Sequence, residues 1–207
     1  YNGTDFYVFR PVKDDKNSLY NNNIGTICGD KQGHIYIRCK YAVVEYDIKE
    51  NTFHTIRDND IQAISYGNTQ LWVCTRDSLF TYNRVEDKLD YYYNLEGARM
   101  SCVIEDSDGN LYVGTMNNGL YMIDGNKKWL NYLPKKDITC IYEDSKKSIW
   151  VGTKDDGLFR LDRNGGITNY GTAPHQNMLS SSYVRCIVED NLGNYWIGTF
   201  KGLDKLN

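Results

Sequence analysis

Among the residues that could do chemistry, three adjacent carboxylate pairs come first: Glu105-Asp106, Glu143-Asp144 and Glu189-Asp190. Two neighbouring carboxyls can divide the work of general acid and general base if their surroundings split their pKa values. These pairs, however, recur at one place in a repeated phrase, whereas a reaction centre needs a single asymmetric constellation. They read as turn caps. The three histidines, His34, His54 and His175, fall at unrelated positions, with no metal-ligand spacing among them. The cysteines Cys28, Cys39, Cys74, Cys102, Cys140 and Cys186 contain no C-x-x-C pair. Ser180-Ser181-Ser182 lacks the Gly-x-Ser-x-Gly setting of a nucleophile. Asp108-Gly109, Asp124-Gly125 and Asp156-Gly157 are turn dipeptides without the ligand series of a calcium loop. No catalytic residue, metal or cofactor is expected.

The repeated phrase carries more information. Met100 to Thr115 returns as Ile138 to Thr153 and again as Val184 to Thr199, with worn copies at Ile24 to Cys39 and Ile61 to Thr75. Its aromatic stands at Tyr36, Trp72, Tyr112, Trp150 and Trp196, at steps of 36, 40, 38 and 46 residues. A period near 40 with strand-like content signals blades of a β-propeller.

Each repeat reads as four short antiparallel strands. The first, V/I-x-C-I-x-E-D, is apolar on both sides at its centre, as an innermost strand between two blades should be. A hairpin follows, in which Asp bonds the backbone ahead of it and Gly supplies positive φ: Asp30 to Gly33, Asp106 to Gly109, Asp190 to Gly193. The second strand carries Gly114, Gly152 or Gly198, where close backbone approach is expected. The third begins at Gly119-Leu120, Gly157-Leu158 or Gly202-Leu203. The fourth is Phe53 to Ile56, Leu89 to Tyr93, Trp129 to Leu133 or Ile167 to Tyr170. Cys102, Cys140 and Cys186 share one inner-strand position and read as packed thiols acting as small hydrophobes.

The expected fold is thus an all-β propeller of about five four-stranded blades, treated as one region over residues 1–207, with repeats at 24–60, 61–99, 100–137, 138–183 and 184–207. Phe6 to Phe9 looks like a fourth strand without its first three, and Leu203 to Leu206 like a third without its fourth. Residues 1–10 are therefore expected to supply an outer strand to the first or last blade. The chain is either a piece of a longer, seven-bladed ring or a five-bladed ring clasped by Phe6 to Phe9. It opens at Tyr1 without Met, which reads as a piece excised or processed from a longer protein.

Composition narrows the partners. Net charge is −3, which gives no electrostatic footprint for nucleic acid. No apolar run approaches the roughly 20 residues that span a bilayer, so no membrane contact is expected of this chain itself. Tyr supplies 18 of the aromatic residues, and its apolar body with a polar tip suits contact surfaces.

The loop joining strands two and three opens on the same face as the connector into the next blade. That places Lys40, Arg76, Met116, Lys154 and Phe200 around one rim, with Tyr41 and Lys201 adjacent. Arg57, Arg99, Lys135 and Lys136 lie in connectors of the same side, and Asp77, Asp155 and Asp156 lie beside the cations. The candidate ligand-binding set is Lys40, Tyr41, Arg76, Arg99, Lys154, Phe200 and Lys201. Cations could pair carboxylate or sulfate while aromatics stack on sugar faces; solvated loop charge is the alternative. The connectors Arg10 to Asn23 and Gly171 to Ser182 could form lips over the rim.

The phrase I-x-E-D-x-x-G-N-x-W-x-G-T-x-x-G-L, with Asn17-Ser18-Leu19-x-x-Asn22-x-Ile24, resembles the two-component regulator propeller repeat. The likeness runs along essentially the whole chain and is strongest in the last three repeats. In the first two, Arg38 and Cys74 stand where the repeat has Gly, and Cys39 where it has Thr. The resemblance implies a piece of the periplasmic sensor region of a hybrid histidine kinase from glycan-degrading gut bacteria. There, two seven-bladed propellers precede a β-sandwich, a membrane helix and cytoplasmic kinase and regulator modules. The expected role is non-enzymatic recognition of an oligosaccharide, and self-association of the receptor is expected because an unclosed ring would expose a blade flank made for pairing. Free thiols alone would favour a reducing compartment; the resemblance overrides them. A propeller lyase or hydrolase would need one blade set apart by clustered His, Glu or Tyr on the rim. A WD-type interaction scaffold would need Gly-His and Trp-Asp dipeptides.

Overall fold

Inner strands that are apolar on both sides can be buried only between two sheets, and the chain folds accordingly. A computed structural model describes residues 6–171 and 179–207. The first sheet runs β1 (Ile24–Gly29), β2 (His34–Cys39), β3 (Tyr41–Asp47) and β4 (Thr52–Ile61). The second is β5 (Ala63–Tyr66), β6 (Leu71–Cys74), β7 (Ser78–Asn83) and β8 (Lys88–Asn94). The third is β9 (Arg99–Glu105), β10 (Leu111–Met116), β11 (Leu120–Ile123) and β12 (Trp129–Tyr132). The fourth is β13 (Ile138–Glu143), β14 (Ile149–Thr153), β15 (Leu158–Leu161) and β16 (Ile167–Tyr170). The fifth has three strands, β17 (Val184–Glu189), β18 (Tyr195–Thr199) and β19 (Leu203–Leu206). All pairings are antiparallel and each sheet follows chain order, so each is a meander.

The core is divided into layers between consecutive blades. Tyr36, Val43, Ile61, Ile64 and Val73 fill the first, and Trp72, Leu79, Met100, Val103 and Val113 the second. Leu120, Ile138 and Val151 anchor the third, and Trp150, Leu158, Val184 and Ile197 the fourth. The connectors plug the layers they cross: Leu95, Leu133 and Leu179 each join the cluster at their own boundary.

Within each blade the inner and second strands share a fixed volume. Cys102 faces Gly114, Cys140 faces Gly152 and Cys186 faces Gly198. A Cβ added at Gly114, Gly152 or Gly198 would lie 2.5 Å from the facing sulfur. The second blade reverses the sizes, with Ala63 opposite Cys74. In the first, Arg38 lies opposite Thr26 and its guanidinium fills the space over Gly25. Four inner strands also carry a register shift near their start, at Gly25, Ser101, Thr139 and Arg185. Such a bulge re-aims one side chain. The Ser101 and Thr139 hydroxyls donate across the boundary to the carbonyls of Ile138 and Val184, both at 2.6 Å.

The inner strands β1, β5, β9, β13 and β17 neighbour one another in that order, and no comparable contact returns from β17 to β1 among the described residues. The sheets form an open arc. Val43, Leu79, Leu120 and Leu158 are wholly buried against the following blade, while Leu203 at the same position is 66% exposed. On the opposite flank Ile27 is 61% exposed, whereas Ile64 and Val103 are buried. Leu19 covers part of that first flank, packing on Cys39, Ala42 and Val44.

The expected clasp is not formed. Residues 6–10 make no strand, and Phe9 packs its ring against Tyr46 and Phe53 of the first blade at 5.1 and 5.3 Å. Neither β4 nor β19 gains an outer partner from this segment. An open arc leaves β19 on the blade farthest along the chain from that segment, and the first blade offers the nearer apolar contact.

Candidate functional site

Hydrogen bonds between the second-to-third-strand loops and the connectors fix the rim. Gly119 N–H donates to Lys136 O at 3.1 Å, Lys154 N–H to Asp137 O at 3.0 Å, and Gly157 N–H to Ser182 O at 3.0 Å. Phe200 N–H donates to Tyr183 O at 2.9 Å, and Met100 N–H to Arg76 O at 2.8 Å. Each blade therefore presents two rim residues side by side, one after the Gly-Thr position and one before the inner strand.

These pairs decide which cations are free. In the second blade Arg76 N–H donates to Asp60 Oδ2 at 3.3 Å, so a carboxylate sits beside that rim cation. In the fourth, Lys154 lies 4.0 Å from Asp137, and Lys136 bonds Asp156 at 2.6 Å. In the third, Arg99 pairs in the ladder with Met116, which brings no charge. The Arg76, Arg99 and Lys201 side chains make no ion pair among the described residues. In the first blade, the Lys40 ammonium lies 5.1 Å from the ring of Tyr41, a half-exposed residue held at φ 67° in the tight turn. Arg57 leaves the expected set: it lies within β4, bonds Asn59 Oδ1 and covers Phe80. Of the acids expected beside the cations, Asp156 pairs with Lys136, whereas Asp77 accepts from the Ser78 hydroxyl. Part of the second lip, with His175, lies outside the described residues.

The fifth blade differs. Its two rim residues are both aromatic, Tyr183 and Phe200, and their rings stack with centroids 5.9 Å apart at 7°. The Arg185 guanidinium, at the bulge, lies 5.5 and 5.3 Å from the two rings. Tyr183 and Arg185 were not among the sequence candidates. The signal that could have found them was the replacement of a polar rim pair by two aromatics in one repeat.

On the hairpin face the Glu-Asp pairs divide their labour. The Asp caps its own turn: Asp106 Oδ1 accepts from Asp108 and Asn110 N–H, and Asp190 Oδ1 from Leu192 and Asn194 N–H. The Trp150 and Trp196 indoles donate to Asp144 and Asp190 at 2.8 and 2.9 Å. Hydrogen bonds from Asn194 and Trp196 hold the Asp190 carboxyl far below the usual carboxylate range. The Glu instead reaches the preceding blade, which corrects the reading of both residues as caps of their own turn. In the second blade Gly67 replaces the Asp; Glu105 fills the vacated space and accepts the Trp72 indole N–H at 2.8 Å.

A charged cluster joins the first two blades on this same face. His34 bonds Asp30 through Nδ1 and lies 3.6 Å from Asp47 through Nε2; Arg84 donates to the buried Glu45 at 3.0 Å. His54 bonds Asp87 at 2.8 Å. Both histidines thus bond carboxylates away from the rim. No grouping of three or more His, Cys, Asp or Glu able to hold a metal occurs among the described residues. All six cysteines are free thiols; burial pushes those of Cys102 and Cys140 up to about 12.

The meandering four-stranded sheets, layered face to face about a common axis, define a β-propeller. Three segments, 94–117, 132–155 and 178–201, match the two-component regulator propeller model. Among solved structures it is similar to the extracellular domain of the hybrid two-component system BT3049 of B. thetaiotaomicron, at 20% identity and TM-score 0.82 over 98% of this chain and 29% of that one. The extracellular domain of BT4673 from the same organism matches at 14% identity and TM-score 0.74, over 88% of this chain and 27% of that one. The chain therefore spans less than a third of those ectodomains. Virginiamycin B lyase of Staphylococcus aureus shares the fold at 12% identity and TM-score 0.73, over 89% of this chain and 70% of that one. No curated protein matches the sequence.

Proposed function

We propose that the chain is part of the periplasmic ligand-recognition propeller of a hybrid two-component receptor, and that it answers to an oligosaccharide. The kinase belongs to segments outside this chain. The observation that carries this reading is the run of regulator propeller repeats. The rim of cations and aromatics on one face gives it chemistry. Arg76 and Arg99 can pair a carboxylate or sulfate, and Tyr41 and Phe200 can lie against sugar rings. Signalling then follows if bound glycan favours one of two receptor arrangements over the other. Self-association of the receptor belongs to the same reading.

Calorimetry of the purified chain against neutral and acidic oligosaccharides tests this. A member of the panel should bind, and Arg76→Ala with Arg99→Ala should weaken it by about tenfold. A panel with no binder removes the proposal.

The chain is read as non-catalytic. A catalytically inactive His-to-Ala variant of the S. aureus lyase has been crystallised with quinupristin. The described histidines here bond carboxylates on the opposite face from the rim. Turnover of quinupristin by the purified chain would overturn the non-catalytic reading.

A further inference from the structure

The rim is regular in four blades and breaks in the fifth. At the position after Gly-Thr the first four carry Lys40, Arg76, Met116 and Lys154; before the inner strand they carry Asn23, Asp60, Arg99 and Asp137. Polar or charged groups dominate both series, as water-facing loops require. The fifth puts Phe200 and Tyr183 there, stacked on each other, with 62% of Phe200 open to solvent. A large apolar ring left in water gains nothing from folding. The bulge residue changes with them. Ser101 and Thr139 hold this position in the third and fourth blades; in the fifth it is Arg185, whose guanidinium lies within 5.5 Å of both rings. It makes no ion pair among the described residues.

We infer that Tyr183, Arg185 and Phe200 form a subsite for one residue of an acidic sugar, a uronate. Its ring lies against Phe200 and its carboxylate meets the Arg185 fork. The inference rests on the oligosaccharide reading above and narrows it to a ligand class and a place. The C–H groups on one face of a pyranose are apolar enough to stack on an aromatic ring, and a guanidinium presents paired N–H donors that match a carboxylate. Tyr183, stacked behind Phe200, fixes the angle of that ring. The Phe200 N–H to Tyr183 O bond ties the two strands that carry it. Lys201 follows directly and adds positive charge at the same edge.

The test compares galacturonate oligomers with galactose oligomers of equal length by calorimetry, on the parent chain and on Phe200→Ala, Arg185→Gln and Arg185→Lys. All three side chains are exposed or lie at the surface, and thermal melting checks that the variants fold. The parent should bind the acidic oligomer about tenfold tighter than the neutral one. Arg185→Gln should erase that preference, and Arg185→Lys should retain part of it. Phe200→Ala should weaken both oligomers by about tenfold. Undiminished acidic binding in Phe200→Ala and Arg185→Gln overturns the subsite while leaving the wider oligosaccharide reading standing. Equal binding of the two oligomers by the parent overturns the assignment to a uronate. Binding of neither oligomer, with some other glycan bound, also overturns it; no glycan binding at all overturns both readings.

Discussion

Glu143 reaches back across a blade boundary and accepts two hydrogen bonds from Ser107, one from its amide and one from its hydroxyl, both at 2.8 Å. Glu189 does the same to Ser145, and Glu105 to Asn68. Nearer the rim, the Ser101 and Thr139 hydroxyls cross the same boundaries in the opposite direction. The third and fourth blades are thus clamped to their successors at both ends. The first boundary has no such Glu, since Tyr66 occupies its place, and there the Arg84–Glu45 and His54–Asp87 pairs span the gap.

Glu143→Ala should lower stability to urea by about 1–2 kcal/mol, because two hydrogen bonds to a partly exposed carboxylate are lost. Glu50→Ala, which removes an exposed ion pair with Lys49, should change stability little. Equal effects at the two positions would remove the clamp from the account.

Gly152→Ala should destabilise by roughly 1–3 kcal/mol, since the new methyl would meet Cys140 Sγ at 2.5 Å and Val184 Cγ1 at 2.8 Å. Combining Gly152→Cys with Cys140→Ala copies the Ala63–Cys74 arrangement and should recover most of that loss. A double variant weaker than Gly152→Ala would show that the paired volumes are not interchangeable between blades.

Thiol labelling under native conditions should mark Cys186 first, because it alone of the six is exposed. Burial holds the Cys102 and Cys140 thiols near 12, so thiolate is scarce there at neutral pH. Labelling of Cys102 or Cys140 at the Cys186 rate would contradict the packing.

Melting temperature should fall at both ends of the pH scale. Asp30, Asp87 and Asp190 are held below the ordinary carboxylate value. Burial opposes this at Asp30 and Asp87, but the hydrogen bonds from His34 and Gln32 at Asp30, and from His54 and Tyr82 at Asp87, together outweigh it. A depressed folded pKa gives stability that is complete above the unfolded value of about 4 and lost as pH drops below it. Burial lifts Cys102, Cys140 and Tyr112 to about 12, so stability present below about pH 9 is lost as pH climbs towards 12. A flat profile from pH 2 to 11 would exclude these groups as contributors.

Blade number, strand order, Asp-capped turns and the close approach at Gly114, Gly152 and Gly198 were legible in the sequence because each depends on a local pattern repeated along the chain. The reach of Glu143 to Ser107 was not, since it joins residues 36 positions apart and looks locally like half of an Asp-Glu cap. Phe6 to Phe9 carried a strand pattern, but a strand also needs an edge within reach, and composition says nothing of that. The pairing of Lys154 with Asp137 was hidden because that acid precedes the inner strand rather than flanking the loop. Arg185 was passed over because its direction depends on a bulge.

The layers between blades have a mechanical corollary. Among the described residues the main ties between sheets join immediate neighbours, so strain in one sheet reaches a distant one only through those between. Heat or force would part such a stack boundary by boundary, as a zip opens tooth by tooth, and its lifetime would be set by whichever boundary lets go first.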